Sequence, residues 1–415
     1  MKRYRITAPE NRVLDGEVNL PASKSISNRY LIIRALAEAE DVPIIGLSDA
    51  TDTKNLIRIL KDEDAKEINV GLGGTTYRFL LAYYAIKSGR KVILNAEEGM
   101  RKRPIGLLVQ ALKDMGAEIE YLGELGHPPV QIKGANLKGG HIKISGEVSS
   151  QYLSAVAMIA PYTQNGVELE ISGNAVSRHY FEMTLKIMQK LGIQVDDQGD
   201  VVKIKPGDYD FPNNIEIEAD WSSASYWYSF AALSRQCTLK LKYLSNSKLQ
   251  PDSATCRIFN GFGVGSIFKE DETWVVKEGE PRPIQLRRYD LIYSPDIAQT
   301  MAVVIAALNK SAIIEGLQTL KIKETDRLTA LQKELSKINA DVEIIRDQKL
   351  VIDGDEDIPE EVEIATYNDH RMAMAFAPLA LRMKSVIIQD PDVVSKSYPD
   401  FWDEMKEIGF TIEEV

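Results

Sequence analysis

The sequence predicts an α/β fold of two similar halves, each made of three units of strand, helix, strand, helix and hairpin. A repeated stop signal is the first reason. Five amphipathic helical stretches end on a glycine or asparagine at 116, 192, 263, 339 and 409, at intervals of 76, 71, 76 and 70 residues. Those residue types suit a left-handed helix C-cap, because neither pays the full steric cost of a positive φ. A repeated start signal keeps step with it. Small polar residues open an alanine-rich helix at 75, 149, 222, 296 and 369, at intervals of 74, 73, 74 and 73, and Ser23-Lys24-Ser25 begins an earlier copy at a shorter spacing. Composition supplies the third reason: 44% hydrophobic against 27% charged residues is the balance of a folded globular chain rather than of a disordered or fibrous one.

The elements follow in order. A strand over 4–8 opens the chain, and the helix after Ser23 carries Ile26, Tyr30, Ile33 and Ala37 as an apolar stripe. Helix 104–115 precedes Gly116 and the alternating strands AEIEYL and PVQIKG; helix 180–191 precedes Gly192, IQV and VVKIKPG. The pattern returns as 253–262, Gly263, a weak strand and TWVVKEG, then as 326–338, Asn339, DVEIIR and KLVIDG, and last as 401–408 with Gly409. An odd unit at the start assigns the first strand to the C-terminal half. The expected domains are therefore 1–20 with 220–415 and 21–219, joined by two crossovers near Leu20 and Ala219. Gly261-Phe-Gly-Val-Gly reads as a turn, since no extended apolar strand leads into it.

Charge and motif content exclude several classes. A net charge of −11 argues against a nucleic-acid binder that works through a basic field. The longest apolar run, 372–381, contains Pro378 and falls short of the roughly 20 residues a membrane span needs. Four histidines and Cys237 and Cys256 lie at no zinc-ligand spacing, and no P-loop or dinucleotide fingerprint occurs. No signal-peptide core follows the basic N-terminus, so the expected location is the cytoplasm.

The helix starts are where chemistry gathers, because the first N–H groups of a helix are unpaired and its dipole is positive there. Lys24, Ser25 and Arg29 cluster at one start; Lys323, Glu324, Asp326 and Arg327 precede the stripe Leu328, Leu331, Leu335 and Ile338; Asp369-His370-Arg371 opens another. Each segment alone also has a plain reading, a polar cap with solvated charges.

Taken together, the segments PASKSISNRYLI, GGTTYRFL, MRKRPIG, GEVSSQYLSA, SRHYFEMTL, ADWSSASYW, KETDRL, YNDHRMAMAF and DVVSKSYPDF resemble, in order and over the whole chain, the 5-enolpyruvylshikimate-3-phosphate synthases of the enolpyruvyl transferase family. The resemblance implies two inside-out α/β barrel domains closing over an active site in the cleft between them. It implies an enzyme of the shikimate pathway that moves the enolpyruvyl group of phosphoenolpyruvate to the 5-hydroxyl of shikimate 3-phosphate and releases phosphate. Cofactors and metals are expected to be absent, the partners to be the two small substrates rather than nucleic acid or membrane, and the chain to be a monomer.

Roles carried over residue by residue are as follows. Asp296, Glu324 and Lys24 would be catalytic, with Glu324 the proton donor and Asp296 the acceptor. Shikimate 3-phosphate would meet Lys24, Ser25, Arg29, Ser149, Ser150, Gln151, Ser177, Tyr180, Asp296 and Lys323. Phosphoenolpyruvate would meet Lys24, Gly74, Arg101, Gln151, Arg327, Arg371 and Lys396. Glyphosate would compete for that second site. The chain departs from the family pattern at Leu72, where asparagine is usual, and at Gly99, where arginine is usual, with Arg101 the substitute cation. A non-catalytic shikimate-phosphate binding protein of the same fold, or a UDP-N-acetylglucosamine enolpyruvyl transferase, would be the alternatives. The second commonly uses a loop cysteine, and neither cysteine falls near Arg101.

Overall fold

The N-terminal strand completes the last repeat. In the computed structural model, which describes residues 2–62, 64–146, 149–173, 177–277, 287–355 and 357–415, Arg3–Thr7 pairs antiparallel with both Ser385–Gln389 and Thr411–Glu414. Glu361–Ile364 runs parallel to Ser385–Gln389 and closes a four-stranded sheet. In repeat order this is a parallel pair followed by an antiparallel hairpin whose last strand lies next to the second.

The same arrangement recurs. Val13–Asn19 is parallel to Gln236–Lys242, which pairs antiparallel with Glu272–Lys277, and that strand with Val264–Phe268. Arg287–Asp290, Ser311–Glu315, Lys349–Asp353 and Asp341–Ile345 repeat it, as do Glu67–Asn69, Lys91–Asn95, Val130–Lys133 and Glu118–Tyr121. Gly140–Ser145, Val167–Ser172, Val201–Ile204 and Val195–Asp197 form the fifth. Among the described residues the sixth sheet is reduced to Ile44–Ile45 beside Ile215–Glu216. The five cap residues, Gly116, Gly192, Gly263, Asn339 and Gly409, all have positive φ, which is why one-residue stops could be read from residue type.

The chain divides into two compact units, 1–23 with 218–415, and 24–217. In the first, the helices Trp221–Leu233, Ala298–Ala307 and His370–Phe376 pack against one another. All ten residues of Ala298–Ala307 are buried, as expected of a helix that is apolar all round. Arg327–Ser336 lies outside them and buries one face through Leu328, Leu331 and Leu335. In the second unit, Lys24–Leu36, Gly74–Ile86 and Ser150–Ile159 form the corresponding central trio. The helix from Lys24 departs from the expected single stripe: Ser27, Asn28, Arg29, Leu31 and Ile32 are buried with Ile26, Tyr30 and Ile33. A helix enclosed by neighbours has no solvated face on which to keep its polar residues.

Candidate active site

In the first unit, the starts of His370–Phe376 and Arg327–Ser336 and the turn before Ala298–Ala307 meet over one group of ions. Asp369 caps His370–Phe376 by accepting from the Arg371 N–H at 2.9 Å, and Asp326 caps Arg327–Ser336 by accepting from the Thr329 N–H at 3.2 Å. Arg327, 2% exposed, donates through Nε to Asp369 at 2.7 Å, through Nη1 to Asp296 at 3.1 Å and through Nη2 to Glu324 at 2.8 Å. Arg371 donates to the other oxygen of Asp296 at 3.1 Å and to its main-chain carbonyl at 3.1 Å. Lys323 Nζ stands 3.4 Å from Asp296 Oδ1. Lys396 Nζ donates to the Asn368 carbonyl.

These contacts fix the charge states. Burial alone would raise the Asp296 carboxyl, but Arg371, Lys323 and Arg327 outweigh it and hold the group well below the usual carboxylate range. Burial likewise disfavours the charged Arg327, and Asp369, Glu324 and Asp296 more than offset it. Every guanidinium in this cluster already has a carboxylate partner. An anionic ligand that took the guanidinium donors would free Glu324 and Asp296 from the cations that now hold them.

In the second unit, a separate polar network joins the three central helix starts. Lys24 Nζ lies 3.3 Å from Asp52, whose carbonyl accepts from Thr76 at 3.3 Å. Ser149 caps Ser150–Ile159 by accepting from the Gln151 N–H at 3.3 Å, and the Gln151 side chain donates to Thr75 at 2.8 Å while accepting from Arg78 at 2.5 Å. The Arg103 guanidinium lies against Gly74: its Nη1, Cζ and Nη2 are 2.5, 2.7 and 2.8 Å from where a Cβ on that glycine would sit. A guanidinium thus reaches the open N-terminal turn of Gly74–Ile86 only because no side chain is there, and cation and free N–H groups together suit a phosphate.

Within each unit the structure brings together most of the residues singled out from sequence. Asp296, Lys323, Glu324, Arg327 and Arg371 share one cluster, with Lys396 on the carbonyl beside Asp369. Lys24, Gly74, Ser149, Ser150 and Gln151 lie at the three helix starts of the other unit. Ser177, buried and at φ 59, precedes Arg178–Lys190, whose first turn carries Tyr180.

Two of the arginines expected to meet ligands have several partners within the protein. Arg29 is 3% exposed and donates to Thr184 at 2.6 Å, Ser25 carbonyl at 2.8 Å, Tyr180 carbonyl at 3.0 Å and Ser154 at 3.3 Å. Four of its five N–H groups are thereby committed, so at most one remains for a ligand. Arg101 donates to the Ala96 carbonyl at 2.8 Å and Asn95 at 2.9 Å, tying down its own loop. The cation at Gly74 is Arg103, two residues further on, which sequence reasoning passed over although it lies in the quoted segment MRKRPIG. Arg78 and Asp52 were also missed; for Arg78 the available signal was a charged residue inside an otherwise apolar helix, whereas Asp52 sits in the polar first turn of Thr51–Lys61 and carried none.

Known proteins resemble this chain over its whole length. The family model described as EPSP synthase (3-phosphoshikimate 1-carboxyvinyltransferase) matches residues 9–66 and 61–405. A 3-phosphoshikimate 1-carboxyvinyltransferase of Bacteroides fragilis is 42% identical over 419 residues, covering 99% of each chain. One from Pasteurella multocida is 36% identical, covering 94% of each. Among solved structures, an EPSP synthase from Acinetobacter baumannii superposes with a TM-score of 0.80 at 20% identity over the full length of both chains. The enolpyruvyl transferase NikO from Streptomyces tendae follows at 0.73 and 14%, covering 100% of this chain and 99% of its own. These two likenesses concern the fold.

Proposed function

The chain belongs to the EPSP synthase family, and from that premise we propose how its residues divide the work of moving the enolpyruvyl group of phosphoenolpyruvate to the 5-hydroxyl of shikimate 3-phosphate. The overall reaction is that of the family: a C–O bond forms between the 5-oxygen and C2 of phosphoenolpyruvate, and phosphate leaves.

Arg327 and Arg371 take the phosphoenolpyruvate carboxylate, a planar anion that matches a guanidinium fork. In doing so they give up Glu324 and Asp296, their present partners. Glu324, released from Arg327 and protonated from solvent, then supplies the proton that the methylene carbon gains, and Asp296, no longer held by three cations, accepts the proton that the 5-hydroxyl loses. The resulting tetrahedral adduct collapses by losing phosphate from C2 and a proton from the new methyl group to the Glu324 carboxylate, which regenerates the alkene. Lys24, Arg103, Gln151 and Lys396 serve the phosphate, with Gly74 leaving room for Arg103. Ser25, Ser149, Ser150, Ser177, Tyr180 and Lys323 serve shikimate 3-phosphate, and Arg29 holds the Ser25 and Tyr180 backbone beside it.

The observation that carries this division is the shared ion cluster in which Arg327 bridges Asp296, Glu324 and Asp369. Cysteine chemistry of the sister transferase is disfavoured here. Burial pushes the Cys237 thiol up to about 12, and it raises Cys256 as well. Both cysteines are unpaired, in keeping with a reducing cytoplasmic setting. No helix among the described residues is long and apolar enough to cross a membrane. A single chain carries both residue sets, and we take the working unit to be a monomer. Phosphate release on mixing shikimate 3-phosphate with phosphoenolpyruvate tests the reading. Binding without release would leave a non-catalytic protein, and release only with a nucleotide-sugar acceptor would overturn the substrate assignment.

A further inference from the structure

We infer that Glu334 is a positioning residue, one that places Arg371 and Lys396 through the Tyr367-Asn368 turn. The inference rests on the reading of those two cations as phosphoenolpyruvate ligands.

Arg327 and Glu334 are seven residues apart on Arg327–Ser336, two turns of one helix, and so share a face. Both reach the same stretch of chain. Arg327 grips Asp369, while Glu334, 1% exposed, accepts from the Ala365 N–H at 3.0 Å and the Tyr367 hydroxyl at 2.6 Å. Lys337 neutralises the buried carboxylate at 2.6 Å and itself donates to the Glu363 carbonyl at 2.8 Å.

Between the two grips the chain reverses: the Asp369 N–H donates to the Thr366 carbonyl at 2.8 Å, and the central residues Tyr367 and Asn368 have φ of 54° and 57°. Two successive positive φ values mark a type I′ turn, which selects glycine, asparagine or aspartate. Asn368 fits that preference and Tyr367 does not, because a bulky side chain pays the steric cost in full. Something must hold it there, and the bond to Glu334 does. Burial, reinforced by Glu334, raises the Tyr367 phenol far above its usual range, so it remains a donor.

The held turn has two outputs. It presents the Asn368 carbonyl to Lys396, and it aims Asp369 so that one carboxylate caps the Arg371 N–H and fixes Arg327. If the brace loosens, the two cations lose their common reference.

Tyr367→Phe removes one hydroxyl and nothing else, and Glu334→Gln alters the acceptor. Each should raise the KM for phosphoenolpyruvate by roughly tenfold, the scale of one hydrogen bond to a charged group, while the KM for shikimate 3-phosphate stays put. The double variant should be no worse than Glu334→Gln alone, because one interaction is lost once. Hydrogen exchange at the Asp369 and Arg371 amides should quicken in Tyr367→Phe even without substrate. A lowered melting temperature with unchanged phosphoenolpyruvate KM and unchanged exchange would make the contact a mere structural brace and overturn the inference. A wild type that makes no product would instead strike at the assigned reaction, and the exchange measurement would still decide the brace.

Discussion

Leu72 lies against Gly99: its Cδ2 is 2.9 Å from the place a Cβ on Gly99 would occupy. The two departures from the family pattern are therefore one coupled change, a larger apolar side chain at 72 filling room that a side chain at 99 would need. Gly99→Arg should overpack the pair and lower stability by about 1 to 3 kcal/mol, with the low end favoured because a leucine tip can rotate. Leu72→Ala in the same chain should restore much of that loss. Melting curves of the single and double variants measure the coupling, and equal melting temperatures for both would disprove it. The KM for phosphoenolpyruvate should not improve in Gly99→Arg if, as proposed, Arg103 against Gly74 supplies the cation.

Arg103 and Gly74 make the second prediction. Arg103→Ala should weaken phosphoenolpyruvate by about 1.5 to 3 kcal/mol, the worth of a charge-assisted hydrogen bond, and glyphosate similarly. Gly74→Ala places a Cβ into the guanidinium and should weaken both ligands through the displaced arginine. Arg101→Ala should alter neither affinity, as its Nε and Nη2 hold Ala96 and Asn95 of its own loop. Inhibition kinetics on the three variants decide it; sensitivity at Arg101 with none at Arg103 would reverse the assignment.

Glu324→Gln should keep both substrates bound and lose at least about 100-fold in kcat, the usual scale for general acid catalysis. The amide can still accept from Arg327, so the fold is expected to survive. Near wild-type turnover would remove Glu324 from proton transfer.

Asp296 sets a pH limit. Its folded-state value lies below its unfolded value of about 3.9, so its ion pairs stabilise the fold fully above about pH 4 and lose that effect as pH falls through the folded value. The stability difference between wild type and Asp296→Asn should accordingly be constant from about pH 8 to 5. A difference that grew or shrank within that window would mean that Arg371, Lys323 and Arg327 do not hold the carboxylate as described.

What the sequence determined by itself was local or periodic. The caps at Gly116, Gly192, Gly263, Asn339 and Gly409 were legible because a positive φ selects residue type at one position, and the helix starts because a cap needs only its next two or three N–H groups. The cluster of Asp296, Glu324, Arg327 and Arg371 was legible through family resemblance, not through spacing. Tertiary structure alone decided the rest. Arg29 reads from sequence as one of a polar cluster at a helix start; only packing encloses that helix and bonds its guanidinium to Thr184, Ser154 and Tyr180, residues far away in sequence. Arg101 and Arg103 are equally basic in sequence, and only the fold brings one of them over Gly74. Leu72 touches Gly99, and Glu334 braces Tyr367, across separations that no periodicity spans. Residue type restricts a backbone angle within a few bonds, whereas a side chain's partner depends on how whole helices and sheets come to lie together.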